Sequence, residues 1–340
     1  MSFKRFDQED IVISADSISA PAWSDNAVTL TTFFTGSEQK NSEAGKYYYN
    51  IYDKVETDNT RVIQFSAAYG NLSGLGATPL NSSVSANTPS SIVYKQYRTL
   101  VNGTEEVNLT FGGTTSEEIF VLAIERARFK EKLLPGSTTL NLTKSGVTLT
   151  LTDDSAYAGT TVFSDAGRVY QLVSGSAGVR HTGTGTDGVY GYSATNGSYG
   201  MFLPDAGLII LNATALNAST ANGGLDFQTS TGTTDRTNLT SIYNALSAAG
   251  SFTLRSEETI SSNYVFVRAR NSEFNYSTNP SNITGSGELR HSVMIDTPQA
   301  YITAVGLYND NNDLLAVAKL SRPLLKDFTK ESLIRIKLDY

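Results

Sequence analysis

The stretch TLNLTKSGVTLTLTD, residues 139–153, alternates apolar and polar side chains on both sides of a turn. Leu140 and Leu142 lead into Lys144-Ser145-Gly146, and Val147, Leu149 and Leu151 lead out of it. A period of two belongs to a strand, because successive side chains point to opposite faces. Two such runs around a glycine-containing turn predict a β-hairpin. No other feature limits the fold as much, because the pattern returns along the chain. Ile334, Ile336, Leu338 and Tyr340 alternate with Arg335, Lys337 and Asp339, which predicts a half-buried strand. YITAVGLY and LLAVAKL are separated by the five residues Asn309–Asp313, a hairpin loop rich in Asn and Asp. NYVFVRAR (Asn263–Arg270), GKYYYNIY (Gly45–Tyr52) and GLIILN (Gly207–Asn212) read as further strands.

Helical periodicity is scarcer. In TNLTSIYNALSAAG, Leu239, Ile242, Tyr243 and Leu246 recur at helical spacing, with Thr237 or Asn238 as cap and Gly250 as stop. In TTSEEIFVLAIERARFKEKLLPG, Thr115 and Glu118 have the spacing of a capping box, yet the apolar run fits a strand equally well. Pro135-Gly136 ends that segment in either case. The expected fold is therefore mainly β with a few short helices (β-rich α+β), its antiparallel sheets sandwich-like and assembled from several segments. Three regions are expected. Residues 1–135 form a β-rich N-terminal region. Residues 136–250 form a Gly/Ser/Thr-rich β region with long loops and one helix near 238–249. Residues 251–340 form a C-terminal antiparallel strand region.

Composition removes several classes of chemistry. The 340 residues include no cysteine, so disulfides, thiolate metal sites and cysteine nucleophiles are excluded. A net charge of -7 argues against a general nucleic-acid binder. Charged residues make up 17%, below the about 25% of an average soluble domain, and Thr, Ser, Asn and Gly take their place. The opening MSFKRFDQEDIVIS has no apolar run of signal-peptide length, and no segment approaches the ~20 apolar residues of a membrane span. No membrane association is expected.

The motifs that could carry chemistry fail their context tests. Gly183, Gly185 and Gly188 spell G-x-G-x-x-G, but VYGYSATNGSYG follows in place of a helix, so a pyrophosphate would have no helix N-terminus to rest on. A glycine-rich β-loop is the better reading. His181 and His291, the two histidines, stand apart from any G-x-S-x-G nucleophile elbow and from zinc-ligand spacing. Counting from Asn309, the sixth and twelfth positions of a calcium loop would fall on Leu314 and Leu320, so that pattern fails too. The adjacent acids Asp153-Asp154, Glu117-Glu118 and Glu257-Glu258 would point to opposite faces of a strand and are expected to be solvated. Arg126, Arg128, Lys130 and Lys132 share one face if extended, which would suit an acidic partner, and disperse around a helix otherwise. No catalytic, cofactor-binding or metal-binding residue is assigned, no cofactor is expected, and the chain is not expected to be an enzyme.

Several longer stretches carry a resemblance. KRFDQEDIVISADSISAPAWSDN (residues 4–26) resembles the start of virion structural proteins of contractile-tailed, T-even-like phages of marine cyanobacteria. FSDAGRVYQLVSGS (163–176), GSYGMFLPDAGLIILN (197–212), SEFNYSTNPS (272–281) and VGLYNDNNDLLAVAKLSRPLLKDFTKE (305–331) are similar to the same family, in order along nearly the whole chain. The Gly/Thr run in residues 182–195 matches least well. The resemblance implies a non-enzymatic structural protein of the virion, assembled in the host bacterial cytoplasm. Its neighbours would be other virion structural proteins in the tail or baseplate, as a homo- or hetero-oligomer. The alternatives are a neck, collar or capsid-surface component, or a tail adhesin binding host-surface glycan. In the adhesin, polar loops would meet sugar hydroxyls and Trp23 would be a stacking platform.

Overall fold

The computed structural model describes residues 4–36, 47–79, 88–159, 161–181, 196–232, 237–248 and 250–339. The protein is mainly β, with antiparallel sheets and a few short helices. The chain forms two compact units, one of residues 18–258 and the other of residues 1–17 with 259–340.

The larger unit is built on a twelve-stranded sheet. The first strand of the chain, β1 (Ile11–Pro21), belongs to a different sheet, described below. The main path starts at β2 (Thr29–Leu30) and ends with β4 (Ile63–Asn71) beside β3 (Tyr48–Tyr52). A separate ribbon pairs β5 (Thr110–Phe111) with β6 (Thr114–Thr115). β7 (Glu118–Ile124) pairs with β4 near the far end of the main path. β8 (Lys132–Leu133) pairs at Ser256 and Glu257 of a later strand. β9 (Thr139–Lys144) and β10 (Val147–Asp153) form the hairpin expected from alternation, with Val147 opposite Lys144. Its two turn residues, Ser145 and Gly146, have φ of 51° and 82°. That is the left-handed pair required by a turn whose twist matches the strands.

β11 (Val162–Ser164) and β13 (Val179–Arg180) flank β12 (Gly167–Ser176). The path then continues through β14 (Gly200–Leu203) and β15 (Leu208–Asn212) to β7. β16 (Ser251–Thr253) lies between β2 and β9. Residues 29–34 join the two ends of this path. Leu30 pairs with Phe252, while the Phe34 and Tyr52 backbones exchange hydrogen bonds of 3.1 and 2.8 Å. The sheet therefore curls until one short segment belongs to both its first and its last strand.

The inside of the curl is the main core. Phe65, Phe120, Leu122, Leu140, Leu142, Ile209, Leu211 and Phe252 line it from the strands. Among the helices, α1 (Pro89–Asn102) and α2 (Ala213–Asn217) precede α3 (Thr237–Ser247). Helix α3 is the helix expected from periodicity, and it buries Leu239, Ile242 and Leu246 in this core while packing on both β9 and β4. Sequence reading passed over α1. Its signals are ordinary ones: the Thr88 hydroxyl accepts from Ser91 N, Pro89 opens the helix, and Gly103 ends it in the left-handed region. Its apolar positions are few, and it covers the outer face of the sheet with Tyr94 and Val101.

Strand β7 explains the segment that sequence left ambiguous. Phe120, Leu122 and Ile124 face the inner core, while Ile119 and Val121 face the outer one. A strand buried on both faces shows no alternation, so its run of apolar residues looks as helical as it looks extended. The capping box does not form, because Thr115 ends β6 and Glu118 begins β7.

The smaller unit holds most of β17 (Arg255–Ala269), together with α4 (Val293–Asp296), β18 (Gln299–Tyr308), β19 (Leu314–Asp327) and β20 (Ser332–Asp339). The sheet order is β1-β17-β20, and β18–β19 is a hairpin. Val305, Leu307, Ala316 and Ala318 of the hairpin pack on Val265, Val267, Ile334, Ile336 and Leu338 of the sheet. The alternation of Ile334, Ile336 and Leu338 is thus the inward face of an edge strand.

Removing one ring from the junction of the long sheet tests this architecture. Phe252→Ala deletes a fully buried ring that touches Trp23 and Phe65, so it should cost about 3–5 kcal/mol of unfolding free energy. Urea denaturation followed by Trp23 fluorescence measures it, and a loss below ~1 kcal/mol would contradict the packed junction.

Candidate functional site

The structure disperses the residues that could carry chemistry. The glycines of the G-x-G-x-x-G stretch lie outside the described residues. His181 is exposed, and its Nδ1 lies 2.9 Å from Ser174 Oγ, but Ser174 is itself buried in β12. A hydroxyl in that position has no room for a substrate carbonyl. His291 is exposed, two residues before α4. Among the described residues, no three histidine or carboxylate side chains come together as a metal site. In the loop Asn309–Asp313, Asn309 Oδ1 accepts from the backbone N–H groups of Asn311 and Asp313, at 3.0 and 2.8 Å, and so builds the turn.

Of the acids expected to be solvated, Glu117 is exposed, whereas Asp153, Asp154 and Glu118 are structural. Asp153 is buried, and its Oδ1 accepts from Gly136 N at 2.7 Å and Ser155 N at 3.3 Å. Asp154 Oδ1 accepts from Gln171 N at 2.8 Å. Burial raises the Asp154 pKa, and the neighbouring Asp153 charge adds to the shift. Glu118 accepts from Thr229 Oγ1, from Asn217 Nδ2 at 3.3 Å and from Asn71 Nδ2 at 3.4 Å, tying β7 to the chain after α2. These oxygens are occupied by neutral donors. Burial holds the neighbouring Tyr69 hydroxyl in its protonated form to well above its ordinary pKa.

The basic cluster forms no common stripe. Residues 126–128 turn as a short 3-10 helix, and only Lys132 of the four lies in a strand. The Arg126 guanidinium donates to the carbonyls of Phe129 and Lys130 and sits 4.7 Å from the Phe129 ring centre. Lys130 pairs with Glu258 at 2.6 Å, and Lys132 lies 3.8 Å from Glu257. Trp23 is 3% exposed, with Nε1 donating to Phe252 O at 2.7 Å. It belongs to the core, so the stacking platform supposed for a glycan-binding surface is not there.

Two surfaces remain. In the larger unit, a cavity of about 370 Å³ lies between α1 and the sheet. Ser66, Ala68 and Ala123 form a floor of small side chains, with Ile92, Val93 and Tyr97 of the helix as one wall. Burial raises the Tyr97 pKa. Sequence reading missed Ile92, Val93 and Tyr97 because they belong to the unrecognised helix α1.

In the smaller unit, apolar side chains are exposed on strand after strand. Ile13 of β1 is 73% exposed, Leu315 and Val317 of β19 are 68% and 60%, Tyr301 of β18 is 64%, and Leu333 of β20 is 66%. The core of this unit is small, with Val265, Leu307 and Ile336 as its buried centre. A unit with so little inside and so much apolar surface outside has the character of an interaction surface. Among the described residues, no helix is long and apolar enough to cross a membrane.

Comparison with known proteins returns no match, whether to a family model, a curated protein or a solved structure.

The half-buried Asp154 supplies a pH test. An acid whose folded pKa is raised destabilises the fold at pH above that value, and the penalty disappears below its unfolded pKa of about 3.9. Asp154→Asn can retain an oxygen acceptor for Gln171 N without the charge. The variant should therefore be as stable as the parent or more so at pH 7, and its advantage should vanish on acidification to about pH 4. Urea melts at the two pH values decide this. An advantage that grows as pH falls would show that the ionised carboxylate stabilises the fold.

Proposed function

We propose that this chain is a non-enzymatic structural subunit of a virion, holding neighbouring chains in the tail or baseplate of a contractile-tailed phage. The observation that carries the reading is the exposed apolar surface of the smaller unit, along β1, β18, β19 and β20. A side chain such as Ile13 or Leu315 gains by leaving water, and an adjoining subunit offers the place to do so. The resemblance of residues 4–26 and 305–331 to phage virion proteins supports the same reading, and both segments contribute strands to this unit. Of the acids and cations that sequence singled out, Asp153, Asp154, Lys130 and Glu258 are engaged in holding turns and strands together. The work of such a subunit is therefore binding through shape.

Antibody or tag labelling of intact particles, read by electron microscopy, tests the proposal. The label should decorate one level of the tail or baseplate. A reconstruction should show the chain burying more than about 1,200 Å² in contacts with its neighbours. Absence of the chain from purified particles, or total contacts below roughly 800 Å², would overturn the reading. So would turnover by the purified chain that disappears when one acid or imidazole is replaced.

A further inference from the structure

The smaller unit leaves two sheet edges open. In the order β1-β17-β20, the outer strands are β1 and β20, and among the described residues no strand pairs along their far edges. Natural proteins usually blunt such edges with proline, lysine or bulges. The β18–β19 hairpin does so. Ile302 pairs with Leu324 and Ala304 with Lys319, so Leu320–Pro323 bulge out opposite Thr303. The two open edges are less protected: β1 has a proline only at its last residue, Pro21, and β20 has no proline and no bulge. β20 keeps unbroken register with β17 over eight consecutive pairs, Ser262–Asp339 to Ala269–Ser332, without a proline. β1 presents Ile11, Val12 and Ile13 in succession, all exposed, and carries no cation. Left in water, such an edge is a template for another strand.

Charge indicates which strand. Facing residues of paired strands share a face, so charges meet directly. β20 exposes Arg335, Lys337 and Asp339 on one face, two cations to one acid. If two copies of β20 paired antiparallel, registers centred on Arg335 or Ile336 would set cation against cation, and one centred on Lys337 would set Lys337 against itself while Arg335 faced Asp339. β1 carries Asp16, and Glu9 and Asp10 lie just before it. Lys337 Nζ already lies 3.6 Å from Asp16 within one chain. The acidic strand and the basic strand are therefore matched.

We propose that β20 of one copy adds to the β1 edge of the next, so that copies join head to tail into one continuous sheet. This rests on the reading of the chain as an assembly subunit and names the neighbour as a second copy of the same chain. Because the two edges differ, the contact is heterologous and propagates as a ring or an open array. Like-charge and opposite-charge pairs across such a junction change association by up to about fivefold each.

The test uses the purified full chain in light scattering after size-exclusion chromatography, over a concentration series. The parent should self-associate. Val12→Lys, on the same side of β1 as Asp16, and Arg335→Glu on β20 should each weaken association about fivefold or more. Each should leave the thermal melting curve unchanged at dilutions where the parent is monomeric. An equimolar mixture of the two should associate again, because each variant keeps one intact edge and the altered edges carry opposite charges. Should either variant melt early, Ile13→Lys and Leu333→Glu replace them on the same strands. A parent that stays monomeric at its solubility limit, or a single variant that still assembles as the parent does, overturns the proposal. A mixture that fails to associate also overturns it. None of these outcomes touches the labelling of particles, so the virion reading stands or falls separately.

Discussion

The larger unit depends on one aromatic junction. Trp23 lies 4.9 Å from Phe252 and 6.1 Å from Phe65, Phe65 lies 5.6 Å from Phe252, and Phe33 lies 6.2 Å from Phe65. Phe252 belongs to β16 near one end of the long sheet path, and Phe65 to β4 near the other. Rings at these separations and tilts gain beyond the area they bury. The Trp23 indole also satisfies its one polar atom on the Phe252 carbonyl, so its burial costs no lost hydrogen bond. Without this cluster the short segment 29–34 would have little reason to bridge two strand ends. The sheet would then be an open ribbon with its apolar concave face exposed.

Once the sheet curls, its inside must be filled, and α3 fills it. The outside needs cover as well, because β7 and β15 are apolar on both faces. Helix α1 supplies part of that cover and leaves the cavity beside Tyr97 where its coverage ends. The smaller unit solves the same problem less completely. Its two layers enclose one thin row of apolar side chains, and the remaining apolar residues point outward. A few strands are close to the lower limit of independent stability. Burial against a neighbour would add what the small core lacks.

The polar groups follow a similar logic. Asp205 accepts from Nε and Nη2 of the Arg168 guanidinium through three contacts and from the Arg168 backbone through one, and these hold its carboxyl below the ordinary range. Lys326, fully buried, donates to Asn271 O, Asn275 Oδ1 and Asp327 O at 2.6–3.0 Å. These groups organise loops, and so do Asp153, Asp154 and Glu118.

Local pattern determined much of the secondary structure. The hairpin at Ser145-Gly146, the hairpin around Asn309–Asp313, the strand of Ile334 to Leu338 and the helix of Leu239 to Leu246 all have one buried face and one wet face. Periodicity records that difference directly. Where both faces are buried, as in β7, or where the apolar face is narrow, as in α1, the signal disappears. The fate of single side chains was decided by tertiary structure alone. Trp23 went to the core because it meets Phe252, which lies 229 residues further along the chain. The four cations from Arg126 to Lys132 were drawn apart by a turn and by Glu257 and Glu258. The open edges of β1 and β20 exist because strands from opposite ends of the chain share β17. Sequence determines such features only through contacts between distant residues, and no local period carries that information.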